Sequence, residues 1–349
     1  MTIKIIYSPS YQAANKVLIR HPQFMDVYNA IHECRCETRD LGIEAQCMML
    51  GGATGAGKST ILFTYVNDNP RYELSMRREI PVLLVEVPAI ATPKALASKM
   101  LEVLGDPASE KGTLWAMGKR LIHLLLSCKV ELVILDDFHH LIDRMKDKIL
   151  FDAAEWLKTL IKETNIPFLV VGIAGRVEKI LATNAQLSRM FAVRKTLRPF
   201  AFDVQKPETV KEFSRFIESF TSETNFPFDG GLSRLELLHR LHYATDGHVA
   251  NITNLLKEAM KSAEKRGLAT FDLRSLSEAF QKRLRALMSE QADNPLNPKL
   301  DPFDVALGVT FKTADAPSLE QMSHTQPQRK PRKPKALPAV SETLKTHSD

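Results

Sequence analysis

The chain has 349 residues, 44% of them hydrophobic and 25% charged, which is enough for an α/β core with an accessory domain. No apolar run approaches the ~20 residues of a membrane-spanning helix, the N-terminus lacks the pattern of a secretory signal, and four cysteines do not suggest a disulfide framework. We therefore expect a cytoplasmic protein without membrane association. The net charge of +6 and pI of about 9.0 permit binding to nucleic acid without requiring it.

The first half of the chain predicts a helical lead-in followed by an α/β unit. Residues 1–43 form the predicted lead-in, with a helix that begins at Pro22 and carries an apolar stripe through Phe24, Val27, Tyr28 and Ile31. Residues 44–204 alternate apolar strands with helices, as in a parallel sheet that is covered on both faces. The predicted strands are 46–50, 81–87, 131–135, 168–172 and 193–197, and the predicted helices between them are 59–66, 94–104, 114–127, 151–163 and 177–182.

The second half predicts a helical unit and a tail. Residues 205–290 contain four amphipathic segments, 207–218, 232–244, 249–266 and 273–287, which predict a small helical lid. Residues 291–349 hold 8 of the 19 prolines and include a basic run at 328–335, so we expect a largely disordered tail. Within it, residues 297–303 either dock on a partner or belong to the flexible tail.

A phosphate-binding loop follows the first predicted strand. The sequence matches G-x-x-x-x-G-K-[ST] and leads into a helix, which is the context that this motif requires. Backbone N–H groups of such a loop surround the phosphates, the lysine reaches the β- and γ-phosphates, and the serine hydroxyl binds Mg²⁺. The residues predicted to bind ATP are Gly52, Ala53, Thr54, Gly55, Ala56, Gly57, Lys58, Ser59 and Thr60.

Two carboxylates end the third predicted strand. Asp136 and Asp137 follow four apolar residues, as in a Walker B motif. Asp136 is expected to hold Mg²⁺ together with Ser59, and Asp137 to polarise the attacking water as a general base. Most AAA+ proteins have Glu at the second position. The shorter Asp137 side chain therefore suggests slow, regulatory hydrolysis.

The motifs favour one class of P-loop protein. The chain lacks the Asn-Lys-x-Asp guanine reader of GTPases and the Leu-Ser-Gly-Gly signature of ABC ATPases. A helical unit after the fifth strand matches the AAA+ architecture, with a parallel five-stranded sheet in the order 5-1-4-3-2 and a small α-helical lid domain. ATP in such proteins commonly lies between subunits, where a neighbour's arginine completes the site.

Several short segments, at residues 21–24, 80–88, 135–141, 166–172 and 185–191, occur in an order and spacing that together are fairly specific. By these segments the sequence resembles, from about residue 15 to 285, the TniB/TnsC family of AAA+ transposition regulators. The resemblance implies that Arg189 is the arginine that acts on a neighbouring copy's nucleotide. The lid arginine that is usual in such proteins has no counterpart in residues 247–251.

The resemblance also implies partners and a process. Such proteins bind ATP and Mg²⁺, assemble as rings or helical filaments around double-stranded DNA, and connect a target selector (TniQ/TnsD-like) to a DDE transposase, with hydrolysis driving disassembly. This implies a bacterial, nucleoid-associated protein. The candidates for contacts with DNA phosphates are Lys111, Thr113 and Lys119.

Two other functions remain open on the sequence. One is an AAA+ ATPase that remodels another machine, in the manner of a helicase loader. The other is a signalling P-loop ATPase that binds protein rather than DNA.

Overall fold

A parallel five-stranded sheet organises the N-terminal half of the protein. The structure is a computed structural model that describes residues 8–74, 77–89, 92–141, 147–285 and 301–304. The sheet consists of β1 (Met48–Gly52), β4 (Val82–Glu86), β5 (Leu132–Asp136), β6 (Phe168–Gly172) and β7 (Val193–Leu197) in the order β4-β5-β6-β1-β7. Every neighbouring pair is parallel. Read from β7, this is the predicted order 5-1-4-3-2, so the predicted fold class is confirmed.

The sheet is buried on both faces. Because successive side chains of a strand point to opposite faces, Met49 belongs to a different hydrophobic cluster from Met48 and Leu50. One cluster is covered by α4 (Pro93–Leu104), α5 (Leu114–Ser127), α6 (Asp147–Thr164) and α7 (Arg176–Ala182). The other is covered by α2 (Pro22–Leu41) and α3 (Lys58–Asp68). Double-sided burial explains why the central strands are nearly all apolar.

Four helices follow the sheet and have a hydrophobic cluster of their own. They are α9 (Pro207–Thr224), α10 (Arg234–Thr245), α11 (Val249–Lys265) and α12 (Leu273–Arg283). The lead-in divides between the two parts of the fold. Its first helix, α1 (Pro9–Lys16), buries Ala14 in the cluster of α9–α12, whereas α2 buries Phe24 and Val27 beside the sheet.

Several elements differ from the sequence-based prediction. The structure adds α1, the short helix α8 (Ala185–Met190) and an antiparallel hairpin of β2 (Tyr72–Leu74) and β3 (Arg77–Glu79). The ninth helix continues to Thr224, six residues further than predicted, and α12 ends at Arg283 rather than at residue 287. Most of the predicted tail lies outside the described residues. Its described part, residues 301–304, contacts the chain's own α10 and α12.

Candidate nucleotide-binding site

The phosphate loop joins β1 to α3 at the C-terminal edge of the sheet. Gly55 and Gly57 have φ values of 77° and 95°, a left-handed conformation that glycine adopts without a steric penalty. The lid closes on this loop, because the N–H of Ala250 in α11 donates to the carbonyl of Gly55 at 3.1 Å. A Cβ built on Gly55 would lie only 2.9 Å from the Cβ of Ala250. Glycine is therefore required both for the turn and for the approach of the lid.

Lys58 is held at the centre of the loop. Its ammonium donates to the carbonyl oxygens of Gly52 and Ala53, each at 2.9 Å, and the residue is 9% exposed. Burial lowers the pKa of Lys58, while the nearby Asp136 and Asp137 oppose that shift. A phosphate oxygen is charged and is therefore a stronger hydrogen-bond acceptor than the two neutral carbonyls. The Lys58 ammonium can exchange these carbonyls for a phosphate oxygen when a nucleotide binds.

Ser59 and Asp136 bring together two hard oxygen ligands. The Ser59 hydroxyl donates to Oδ2 of Asp136 at 3.2 Å, and Oδ1 of Asp136 accepts the N–H of Asp137 at 2.9 Å. Burial, reinforced by the charge of Asp137, raises the pKa of Asp136. Mg²⁺ prefers oxygen ligands of this kind and bridges them to substrate phosphates. The donor set and the raised pKa fit a site in which a cation would stabilise the ionised carboxylate.

Asp137 stands at the start of the turn after β5. Its φ of 54° is left-handed, a conformation that Asp tolerates better than most residues. Its side chain is 42% exposed, and its Oδ1 lies 3.9 Å from Nδ1 of His139. His139 is buried and packs against Gly172 at the end of β6. The carboxylate therefore remains accessible to a water molecule, while the N–H of Asp137 is held by Oδ1 of Asp136.

A cavity of about 430 Å³ extends from the phosphate loop to the lead-in. Residues 55–61 line one part of it, and α11 contributes Val249, Ala250, Thr253 and Lys257. The remaining walls are mostly apolar and come from the lead-in and from α9: Ala14, Asn15, Val17, Leu18, Ile19, His21, Phe24, Phe216 and Phe220. A pocket with a phosphate-binding end and an apolar end is suited to a nucleotide, whose base needs an apolar surface.

Two ionisable residues of this cavity, His21 and Lys257, were not identified as site residues from the sequence. His21 caps α2 by accepting the N–H of Phe24 at Nδ1 (3.4 Å), and burial lowers its pKa from 6.5 to about 4. Lys257 lies two helical turns after Ala250 on α11. Burial lowers the pKa of Lys257, and among the described residues no carboxylate forms an ion pair with it. Spacing along α11 places Thr253 and Lys257 on the face of Ala250, but only the packing of α11 shows that this face meets the cavity.

Arg189 is separate from the phosphate loop of its own copy. It is exposed near the end of α8 and lines a different cavity, of about 610 Å³, together with Glu44, Lys162 and Gln186. Residues 43–46, which precede β1, form part of the same wall, so this cavity lies at the N-terminal edge of the sheet. The structure therefore brings Lys58, Ser59, Asp136 and Asp137 together at one edge and leaves Arg189 at the other.

The three candidate DNA contacts are all exposed and lie around the start of α5. Thr113 caps this helix, since its hydroxyl accepts the N–H of Ala116 at 3.3 Å. The Lys119 ammonium lies 3.7 Å from Glu163 and 6.0 Å from the ring centroid of Trp115. Lys111 immediately precedes Gly112 in the loop before the helix. Part of the positive charge on this surface is thus balanced by an acidic neighbour.

Solved structures with the same fold include a Cdc6p protein and an ORC2 protein. The chain is 14% identical to Cdc6p from Pyrobaculum aerophilum, with a TM-score of 0.56 over 80% of this chain and 72% of that one. It is 16% identical to the Aeropyrum pernix ORC2 protein, with a TM-score of 0.55 over 78% of this chain and 71% of that one. At these identities the similarity establishes the fold alone. Among curated proteins no sequence matches this chain.

Two further findings concern membrane-spanning helices and the protein family. Within the part of the chain that the structure describes, no helix combines the length and apolarity needed to cross a membrane. The profile of the family described as "Bacterial TniB protein" matches residues 11–199, which is more than half of the chain. That span contains the phosphate loop, the Asp136–Asp137 pair and the complete sheet. This chain, an AAA+ P-loop protein by its fold, therefore belongs to the bacterial TniB protein family.

Proposed function

We propose that this protein is an ATP-dependent regulator of DNA transposition. In this role it binds Mg²⁺ and ATP, oligomerises on double-stranded DNA without sequence preference, and connects a TniQ/TnsD-like target selector to a DDE transposase. The proposal rests above all on the Ser59–Asp136 hydrogen bond of 3.2 Å, which joins the phosphate loop to the acidic strand end in a chain of the TniB family. Slow hydrolysis of ATP then disassembles the oligomer.

The chemistry assigned to the site uses groups that are already close together. Lys58 leaves the carbonyl oxygens of Gly52 and Ala53 to neutralise the β- and γ-phosphates. Ser59 and Asp136 would hold Mg²⁺, and the ion would supply neutralisation of the negative charge on the phosphates. Asp137 orients a water molecule and accepts its proton as that water attacks the γ-phosphorus. The bond between the γ-phosphorus and the β–γ bridging oxygen breaks, and ADP leaves with the electron pair. A neighbouring copy's Arg189 is the proposed source of the remaining positive charge.

The placement of Arg189 supports an oligomer with a repeating orientation. The nucleotide site lies at the C-terminal edge of the sheet, whereas Arg189 lines a cavity at the N-terminal edge. A head-to-tail interface places opposite edges of two copies against each other, and such interfaces generate rings or helical filaments. In either assembly every interior copy both receives and donates an arginine.

Binding to duplex DNA tests the proposal directly. We expect wild-type protein to shift duplex DNA in a gel when a non-hydrolysable ATP analogue is present, with an affinity that falls steeply as salt rises and depends little on sequence. Lys58→Ala should abolish both nucleotide binding and this shift. Lys111→Ala with Lys119→Ala should weaken the shift at every sequence and leave nucleotide affinity unchanged.

The same experiment separates the alternatives. Nucleotide binding without any DNA shift would refute the proposal and favour a signalling ATPase that binds protein. A shift only with branched or single-stranded DNA would instead favour a remodelling or loader-like role.

A further inference from the structure

A short segment after the lid is received by a groove on α10 and α12. Asp301 is only 3% exposed, and its Oδ2 accepts hydrogen bonds from the Ser277 hydroxyl at 2.6 Å and from the Gln281 amide at 3.0 Å. Its Oδ1 accepts the N–H of Phe303 at 2.9 Å. Both carboxylate oxygens are therefore satisfied by neutral donors, which compensates for their burial.

Pro302 and Phe303 are held by contacts of other kinds than those of the Asp301 carboxylate. Nη1 of Arg240 donates to the carbonyl of Pro302 at 2.6 Å, and Arg240 itself is 3% exposed and paired with Glu236. Phe303 is 2% exposed and meets Phe280 edge to face, with the ring centroids 6.4 Å apart. The groove thus contains a pocket for an acid, a clamp for a backbone carbonyl and a pocket for an aromatic ring.

Three adjacent anchors of distinct chemistry form a recognition site for a short peptide. The carboxylate sets the position, the proline restricts the backbone, and the ring supplies apolar burial. Without a peptide, water would replace the Pro302 carbonyl at Arg240, and the apolar surface that Phe303 covers would be exposed. The groove is therefore built for an occupant of the form Asp-Pro-Phe.

The intervening chain is much longer than docking within one copy requires. The contacted residues Ser277 and Gln281 lie within about 10 Å, along the helix axis, of Leu284 just after α12. Residues 286–300 separate the last described residue, Arg285, from Asp301. Fifteen residues reach about 50 Å when extended. A connection of this length is long enough to join two lids that lie within about 50 Å of each other.

We propose that this lid groove is an exchangeable peptide site and that its alternative occupant is the Asp301–Pro302–Phe303 segment of a second copy of this chain. Exchange of an identical element between copies creates an oligomeric contact without any new interface. The proposal is independent of the nucleotide site and goes beyond the proposed function, because it concerns how neighbouring lids are connected.

A peptide experiment tests whether the groove binds in trans. The probe is a fluorescent peptide with the sequence of residues 297–306, added to the full-length chain without nucleotide or DNA. Phe303→Ala removes the chain's own aromatic anchor, so this variant should bind the probe at least tenfold more tightly than wild type does. In wild type, the tethered segment competes at an effective concentration of about 1 mM.

The controls for this experiment change the same contacts of Phe303 and Asp301. A probe that carries Phe303→Ala should not bind, and far-UV circular dichroism should show that the variant chain remains folded. Should the Phe303→Ala chain misfold, Gln281→Glu offers a second approach, because Gln281 is exposed and the new carboxylate repels Asp301. That chain should fail to bind the wild-type probe and should bind a probe with Asp301→Asn. A groove that takes neither matched probe overturns the proposal.

Exchange between whole chains is tested by mixing complementary variants. Phe303→Ala has an intact groove and a defective segment, whereas Gln281→Glu has an intact segment and a defective groove. Each variant alone should form no complex through its segment and groove in a sedimentation experiment. An equimolar mixture of the two variants should form a 1:1 complex in the absence of nucleotide. Adding Asp301→Asn to the Gln281→Glu chain should abolish that complex, because its segment then matches its own groove.

A mixture that sediments as the sum of its components would refute exchange. That result would leave ATP-dependent assembly on DNA unaffected, so failure of this inference is distinguishable from failure of the proposed function.

Discussion

Acidification should destabilise the protein through His21, at the junction of the lead-in and the lid. The ring makes edge contacts with Phe200 and Phe216 at centroid distances of 5.2 and 5.8 Å, and its Nδ1 accepts the N–H of Phe24. Protonation would convert that acceptor into a donor and place a charge among aromatic rings. Burial accordingly lowers the pKa of His21 from 6.5 to about 4.

The sign and size of the effect follow from linkage. Between pH 6.5 and about 4 the unfolded chain binds a proton at His21 that the folded chain does not, so the free energy of unfolding rises with pH in this window. The contribution is complete above pH 6.5 and is lost as the pH falls toward 4. From pH 7.5 to 5.0 the full shift corresponds to about 2 kcal/mol, and partial exposure of the ring reduces our expectation to about 1 kcal/mol.

Urea unfolding at pH 7.5 and 5.0 measures this contribution. His21→Asn keeps a good N-cap acceptor and removes the titrating group, so its loss of stability on acidification should be about 1 kcal/mol smaller than that of wild type. His123→Asn, at an exposed histidine, is the matched control and should behave like wild type. Other buried histidines are unchanged in both variants and cancel in the comparison. Equal pH dependence in His21→Asn and wild type would refute the reasoning.

Substitutions at three positions, Asp137, Lys257 and Gly55, test the nucleotide site. Asp137→Asn should retain ATP binding and reduce turnover by about 10²-fold or more, whereas Asp137→Glu should raise turnover; a rate that stays unchanged in both variants would exclude a general-base role. Lys257→Met should weaken ATP binding by about five- to tenfold, because a desolvated charge is lost from the cavity. Titration calorimetry measures this affinity, and Lys261→Met on the same helix is the control. Equal ATP affinities of Lys257→Met and wild type would show that Lys257 is not part of the site. Gly55→Ala should weaken nucleotide binding at least tenfold, because the new Cβ meets Ala250 at 2.9 Å in a left-handed turn; wild-type affinity would show that lid and loop are not in contact.

The main features of the sheet were predictable because they depend on local pattern. Runs such as residues 132–135 are apolar at every position, which only a strand buried on both faces requires. The strand–loop–helix turn between β1 and α3 was predictable for a similar reason, since its glycines, lysine and serine lie next to one another in a single local motif. Helix boundaries marked by a cap and a glycine, as at Thr92 and Gly105, were also close to those observed.

Other elements had too little local signal. The hairpin of β2 and β3 has strands of only three residues each, too short for an alternating pattern to be recognised. Helix α1 is short and polar on average, and it becomes stable by burying Ala14 against the lid cluster. The segment at Asp301 reads as part of a Pro-rich tail, because its partners Arg240 and Ser277 are distant in sequence.

Neighbouring residues were sufficient to predict the fold class, the turn between β1 and α3 and the acidic pair after β5, because each of these has a local pattern of spacing. The folded structure was needed to show which residues form the rest of the cavity, that Arg189 lies at the opposite edge of the sheet from Lys58, and that residues 301–303 occupy a groove of the lid. These features depend on contacts between segments that are far apart along the chain. Such contacts are set by how whole helices pack, and no local pattern of side chains specifies that packing.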